Sequence, residues 1–143
     1  MNTVQFPKAV ISGILGTGAF TVFTQVQSFI GFPKGDIPMM LSSFLGASLF
    51  VGWVMHFGIG IMLAITYAFV SNRLPFCGWK QGVFYGIFPW FMAMIAVMPM
   101  MGMPVFAGSA LMATASLVGH FIYGATVGYV YSGQGVCAVS RVE

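Results

Sequence analysis

Two histidines carry most of the chemistry this chain can offer, and they recur in one pattern. His56-Phe57 is followed by Gly60 and Tyr67, and His120-Phe121 by Gly124 and Tyr131, so both segments read H-F-x-x-G-x-x-x-x-x-x-Y, the second 64 residues after the first. Helical residues four apart share a face. His56 is therefore stacked between Gly52 and Gly60, and His120 between Ser116 and Gly124. Small residues above and below an imidazole leave room for a planar group. Two such imidazoles on facing helices are what a b-type haem needs for axial ligation, with His56 and His120 on the iron and Gly52, Gly60, Ser116 and Gly124 around the macrocycle. A quinone or another planar cofactor would use part of the same arrangement. A neutral histidine bonded across helices, with small residues that let backbones approach, explains the same residues without any cofactor. Periodicity alone leaves these alternatives open, because it does not fix helix rotation.

A second group of soft ligands is formed by methionine. Met98, Met100, Met101 and Met103 fall in VMPMMGMP, with Met39 and Met40 in an earlier loop. Thioethers suit Cu(I), although no histidine or cysteine joins the cluster, and methionine also fills irregular apolar gaps. Other chemistry is missing from the sequence. No Asp or Glu lies in a long apolar run, as a proton relay would need, and no nucleophile-base-acid set or phosphate loop occurs. This points to a protein that is not an enzyme.

The elements that position these residues follow from charge. Lys and Arg number 5 and Asp and Glu 2 among 143 residues, 59% of the chain is hydrophobic, and mean hydropathy is +0.95. Soluble domains carry about 25% charged residues against 5% here, and disordered chains are poor in hydrophobics. The composition identifies an integral membrane protein, and its net charge of +3 reflects topology rather than nucleic-acid binding. About 20 apolar residues cross the hydrocarbon as a helix. With breaks at Gly31 to Pro38, at Pro75 and Gly78, and at Pro99 to Pro104, the pattern predicts an all-α four-helix bundle, with helices near 8–30, 43–71, 81–101 and 106–132. Residues 133–143 read as a flexible cytoplasmic tail. Lys8 precedes an apolar run too long for a signal peptide, so the first helix is expected to be retained.

Lys8, Arg73, Lys80 and Arg141 fall on one side and Lys34, offset by Asp36, on the other, so the positive-inside rule puts both termini in the cytoplasm. Trp79 and Tyr131 suit the interfacial belt. Cys77 and Cys137 then lie where thiols stay reduced, and their spacing matches no zinc motif. The repeated motif predicts two tandem hairpins related by a pseudo-two-fold axis along the membrane normal.

Further residues carry a family resemblance: Ile37-Pro38, then 52–57, 74–79, 89–94, 97–102 and 120–128. Over roughly residues 8–132 the chain resembles an uncharacterised family of small four-helix bacterial membrane proteins, a domain of unknown function. The resemblance implies four helices and gives no activity, and the expected location is a bacterial inner (cytoplasmic) membrane. Glycine-rich faces and an apolar surface favour lateral association. The sequence therefore reads as a small non-catalytic accessory subunit among lipids and other integral membrane subunits, with the cofactor-binding electron carrier as the competing class.

Overall fold

The computed structural model describes residues 4–132, which fold into helices without a strand among them. In chain order these are α1 (Phe6–Val26) with a 3-10 turn (Gln27–Ile30), α2 (Ile37–Leu45), and α3 (Leu49–Val70) with a 3-10 turn (Ser71–Arg73). α4 (Gly78–Met92) runs through a π-helical turn (Ala93–Val97) into the single turn α5 (Met98–Met100), and after a 3-10 turn (Val105–Gly108) comes α6 (Ala110–Ser132). Four segments, Phe6–Ile30, Leu49–Arg73, Gly78–Met100 and Ala110–Ser132, are long and apolar enough to span a membrane. The expected tail at 133–143, with Cys137 and Arg141, lies outside the described residues.

Two helix starts differ from the expected ones, each for a local reason. The second span begins at Leu49 instead of residue 43, because a separate helix precedes it. Asp36 caps α2 by accepting a hydrogen bond from the Met39 N–H at 3.1 Å, Pro38 occupies its first turn, and Gly46 ends it at φ +60°. An acidic N-cap followed by proline is a start signal, and it was legible in Asp36-Ile37-Pro38. The last span begins at Ala110 instead of residue 106. Phe106 and Ala107 sit in the left-handed region (φ 56° and 55°), which breaks the helix, and the rings of Trp90 and Phe91 pack on Phe106. Pro89 in α4 and Pro99 in α5 each lack the N–H a regular ladder needs and bracket the π-turn.

Glycine decides how the helices meet. Within a bilayer, helices gain nothing from hiding apolar surface from lipid, so close backbone packing must hold them. A Cβ on Gly82 would collide with the Gly124 carbonyl, one on Gly86 with the His120 carbonyl, and one on Gly128 with Gly78 and Gly82. These contacts lock α4 to α6. Gly13 meets the backbone of Gly60 and Ile61, and Gly60 receives Thr17, which joins α1 to α3. Gly16 lies under Tyr123 and Val127, and Gly119 under Phe20, which joins α1 to α6. Gly52 receives the Pro38 carbonyl, seating α2 on α3.

The tandem hairpins expected from the repeat are thus present as the pairs α1–α3 and α4–α6. A two-fold relation would match the α1–α6 seam with an equal α3–α4 seam. Instead α3 and α4 touch sparsely, and mainly toward the end that carries Arg73 and Lys80. There the Tyr67 hydroxyl donates to Gln81 Oε1 at 2.8 Å, Gln81 Nε2 donates to the Ser71 carbonyl at 2.7 Å, and the Tyr85 hydroxyl donates to the Leu63 carbonyl at 2.8 Å. Near the same end the Gln5 N–H reaches the Tyr131 hydroxyl at 3.4 Å. Cys77, in the turn before α4, is disulfide-bonded rather than reduced.

Packing of this kind predicts a sharp contrast between glycines. Gly82→Ala and Gly124→Ala should each destabilise the bundle by about 1–3 kcal/mol through overpacking. Gly58, with nothing near its would-be Cβ, should accept alanine without loss because alanine favours a helix. Unfolding midpoints in mild detergent measure the difference, and equal midpoints for Gly58→Ala and Gly82→Ala would contradict the glycine seam.

Candidate functional site

Where α3 and α4 separate, a cavity of about 500 Å³ opens, within the range of sites for small molecules. α1, α3 and α6 supply its polar residues: Thr17, His56, Ser116, His120 and Tyr123. Its remaining wall is apolar and comes from Phe20 of α1, α2 (Ile37, Met40, Leu41), α3 (Ile59, Met62, Leu63) and the stretch from the end of α4 through the π-turn and α5 to Met101. The rim residues Ile59 and Met62 on α3 and Phe88 and Met92 on α4 are uncovered by protein. In a bilayer these face acyl chains, so the cavity communicates sideways with lipid.

Both histidines reach this cavity, as their common depth in the sequence implied, but their bonds differ. His56 is buried on α3, and its Nε2 lies 2.9 Å from Thr21 Oγ1 on α1. Thr21 has a single hydroxyl proton and donates it to the Thr17 carbonyl at 2.7 Å. The His56–Thr21 bond must therefore run from imidazole to hydroxyl, which makes His56 the Nε2–H tautomer. His120 places Nδ1 2.7 Å from the Ser116 carbonyl one turn back on α6. A carbonyl only accepts, so Nδ1 carries the proton there and Nε2 is a bare lone pair. Nε2 of His120 has no hydrogen-bond partner among the described residues.

Phe20 of α1 packs on both imidazoles, with ring centroids 6.0 Å from His56 and 5.3 Å from His120. Trp53 and Phe57 complete the aromatic shell of His56. The other residues assigned around a planar cofactor divide. Ser116 and Gly60 line the cavity, whereas Gly52 and Gly124 do not. The space beside Gly52, Gly60 and Gly124 is filled by Pro38, Thr17 and Gly82 respectively. These glycines admit neighbouring helices.

The methionines are the larger surprise. Six of the twelve, Met40, Met62, Met92, Met94, Met98 and Met101, line this cavity. The outer cluster is divided: Met98 and Met101 turn inward, Met100 is 72% exposed, and Met103 is not part of the wall. Among the described residues no group of three or more His, Cys, Asp or Glu is placed to hold a metal ion.

Sequence reasoning passed over Thr21 and Phe20. A signal for the threonine existed: Gly13, Thr17 and Thr21 recur every fourth residue and mark the α1 face turned to α3. Phe20 carried no signal of its own.

Removing the threonine hydroxyl tests the bond. Thr21→Val keeps the shape but leaves the buried His56 N–H unpaired, which should cost about 1–3 kcal/mol. Thr21→Ser should recover most of it. Equal unfolding midpoints for all three proteins would mean that the bond contributes nothing.

A family model described as a family of unknown function, DUF6789, matches residues 3–135 of the chain. No curated protein and no solved structure matches it.

Proposed function

The chain belongs to that family of unknown function, and from this premise we propose that it is a non-catalytic membrane protein that takes up a lipophilic molecule from the bilayer. The observation that carries the proposal is the cavity between α3 and α4: apolar on its walls, polar at His56, Ser116 and His120, and open to lipid at its rim. Its methionine wall supports the same reading, because unbranched thioether side chains adapt to flexible apolar guests.

The alternatives gain less from the geometry. Ligation of haem iron by both histidines through Nε2 would require His56 to give up Thr21, and Phe20 already occupies the contact with both rings. Copper binding would need the divided outer methionines to converge. An accessory subunit draws its support from glycine faces and from an apolar surface, and the apolar surface, which lipid alone also covers, remains. Most of those glycines are consumed inside the bundle, and Gly18 and Gly58 are helical glycines left with open space.

Native mass spectrometry of the protein extracted in mild detergent tests the proposal. We expect a non-covalent lipophile at near one-to-one ratio, lost in Ala93→Phe, which fills the cavity. A stable stoichiometric complex with another membrane protein and no bound small molecule would favour the subunit reading instead. A Soret band with a sharp reduced α-band would favour haem.

We also propose a cytoplasmic-membrane location with both termini in the cytoplasm. Lys8, Arg73 and Lys80 at one end of the bundle support it. The disulfide at Cys77, at that same end, pulls the other way, since such bonds persist in oxidising compartments. C-terminal fusions decide: a fluorescent green protein and an inactive alkaline phosphatase are expected. The opposite pair, with Cys77 resisting alkylation until reduced, would turn the bundle over.

A further inference from the structure

We infer that the polar end of the cavity's guest is a hydroxyl, so that the ligand class is a lipophilic alcohol or phenol rather than a ketone, quinone or ether. The inference rests on the reading that the cavity binds a lipophile, and it follows from where each proton of the site already goes.

Four of the five polar residues lining the cavity have committed their donors. Thr17 donates to the Gly13 carbonyl at 2.7 Å, and Tyr123 to the Gly60 carbonyl at 2.6 Å. His56 donates through Nε2 to Thr21, and His120 through Nδ1 to the Ser116 carbonyl. Ser116 Oγ stands 3.4 Å from His120 Nδ1. That nitrogen carries the proton, so Oγ is its acceptor and the serine proton is left uncommitted. The site thus offers a guest bare imidazole nitrogens as acceptors, His120 Nε2 and, by the same proton count, His56 Nδ1, and one donor, the Ser116 hydroxyl, which lies one helical turn from His120 on α6.

A hydroxyl matches both at once, donating to the imidazole and accepting from the serine. A carbonyl or ether oxygen can take only the serine proton. It would also set its own lone pairs against Nε2 in an apolar enclosure, and an unpaired polar group there is costly. A site built to bond a hydroxyl rejects the analogue without one for this reason. A cationic head has no carboxylate to meet, since no Asp or Glu lines the cavity. The apolar wall takes the hydrocarbon portion, and the uncovered rim at Ile59, Met62, Phe88 and Met92 lets a longer chain extend into the bilayer.

A matched pair of probes tests this: geranylgeraniol and its methyl ether, which share a chain and differ in the hydroxyl proton. Binding to the full-length protein in nanodiscs would be followed by native mass spectrometry and competition. The alcohol should bind about tenfold tighter, the worth of one buried hydrogen bond. In His120→Phe, which keeps a ring but removes the Nε2 acceptor, the preference should collapse toward unity, because the alcohol loses a bond and the ether no longer faces a lone pair. Equal binding of alcohol and ether to the unaltered protein overturns the hydroxyl assignment and leaves the cavity reading intact. If neither probe binds the unaltered protein saturably, the cavity reading itself fails. Both of these outcomes are measured on the unaltered protein, so they hold even if the variant does not fold.

Discussion

Helices surrounded by lipid have no hydrophobic reason to prefer one another, so everything in this bundle depends on how closely their backbones can approach. Glycine supplies that approach at each well-packed seam. Gly82 against Gly124 joins α4 to α6, Gly13 and Gly60 join α1 to α3, and Gly16 and Gly119 admit side chains between α1 and α6. The seams formed this way are short-range and leave little freedom in helix rotation. The rotation in turn fixes which atoms of His56 and His120 are bonded and which stay open.

The α3–α4 pair lacks such a seam. Hydrogen bonds from Tyr67, Gln81 and Tyr85 hold the two helices at the basic end, and no glycine contact draws them together above it. The bundle therefore closes on three sides, and the fourth is lined by methionine. An internal repeat would have given a symmetric molecule if both hairpins had used their glycines alike. Gly60 and its equivalent Gly124 each meet their own hairpin partner, α1 and α4, but Gly52 admits α2 where the second repeat has Ser116. The two repeats thus part company at Gly52 and Ser116: the first seats the extra helix α2, and the second turns a serine into the cavity.

Composition and charge made the four spans and their apolar character legible, and the repeated motif brought His56 and His120 to one depth and one site. Both steps depend on properties read along a single helix. What could not be read depends on pairs of helices. The four-residue spacing around each histidine looks the same whether the glycines make room for a cofactor or for Thr17 and Gly82. Likewise VMPMMGMP reads as a surface cluster until the π-turn is known to rotate Met98 and Met101 inward. The separate helix α2 was readable from Asp36 and Pro38, but a loop rich in glycine and proline masked it.

The widened turn at Ala93–Val97 has a bearing on how such a site can arise. A π-turn contains one residue more than the regular helical turn it replaces, so everything beyond it is rotated by about 100° relative to an uninterrupted helix. On the inner side, α4 presents Gly78, Gly82 and Gly86 to α6. Toward the outer side, the same continuous span lines the cavity with Phe88, Pro89 and Met92 before the turn, Met94 within it, and Met98 and Met101 beyond it. One helix thereby serves two partners in two phases, adhesive along its first half and accommodating along its second. A single-codon insertion is enough to create that change of phase, and a single deletion would erase it.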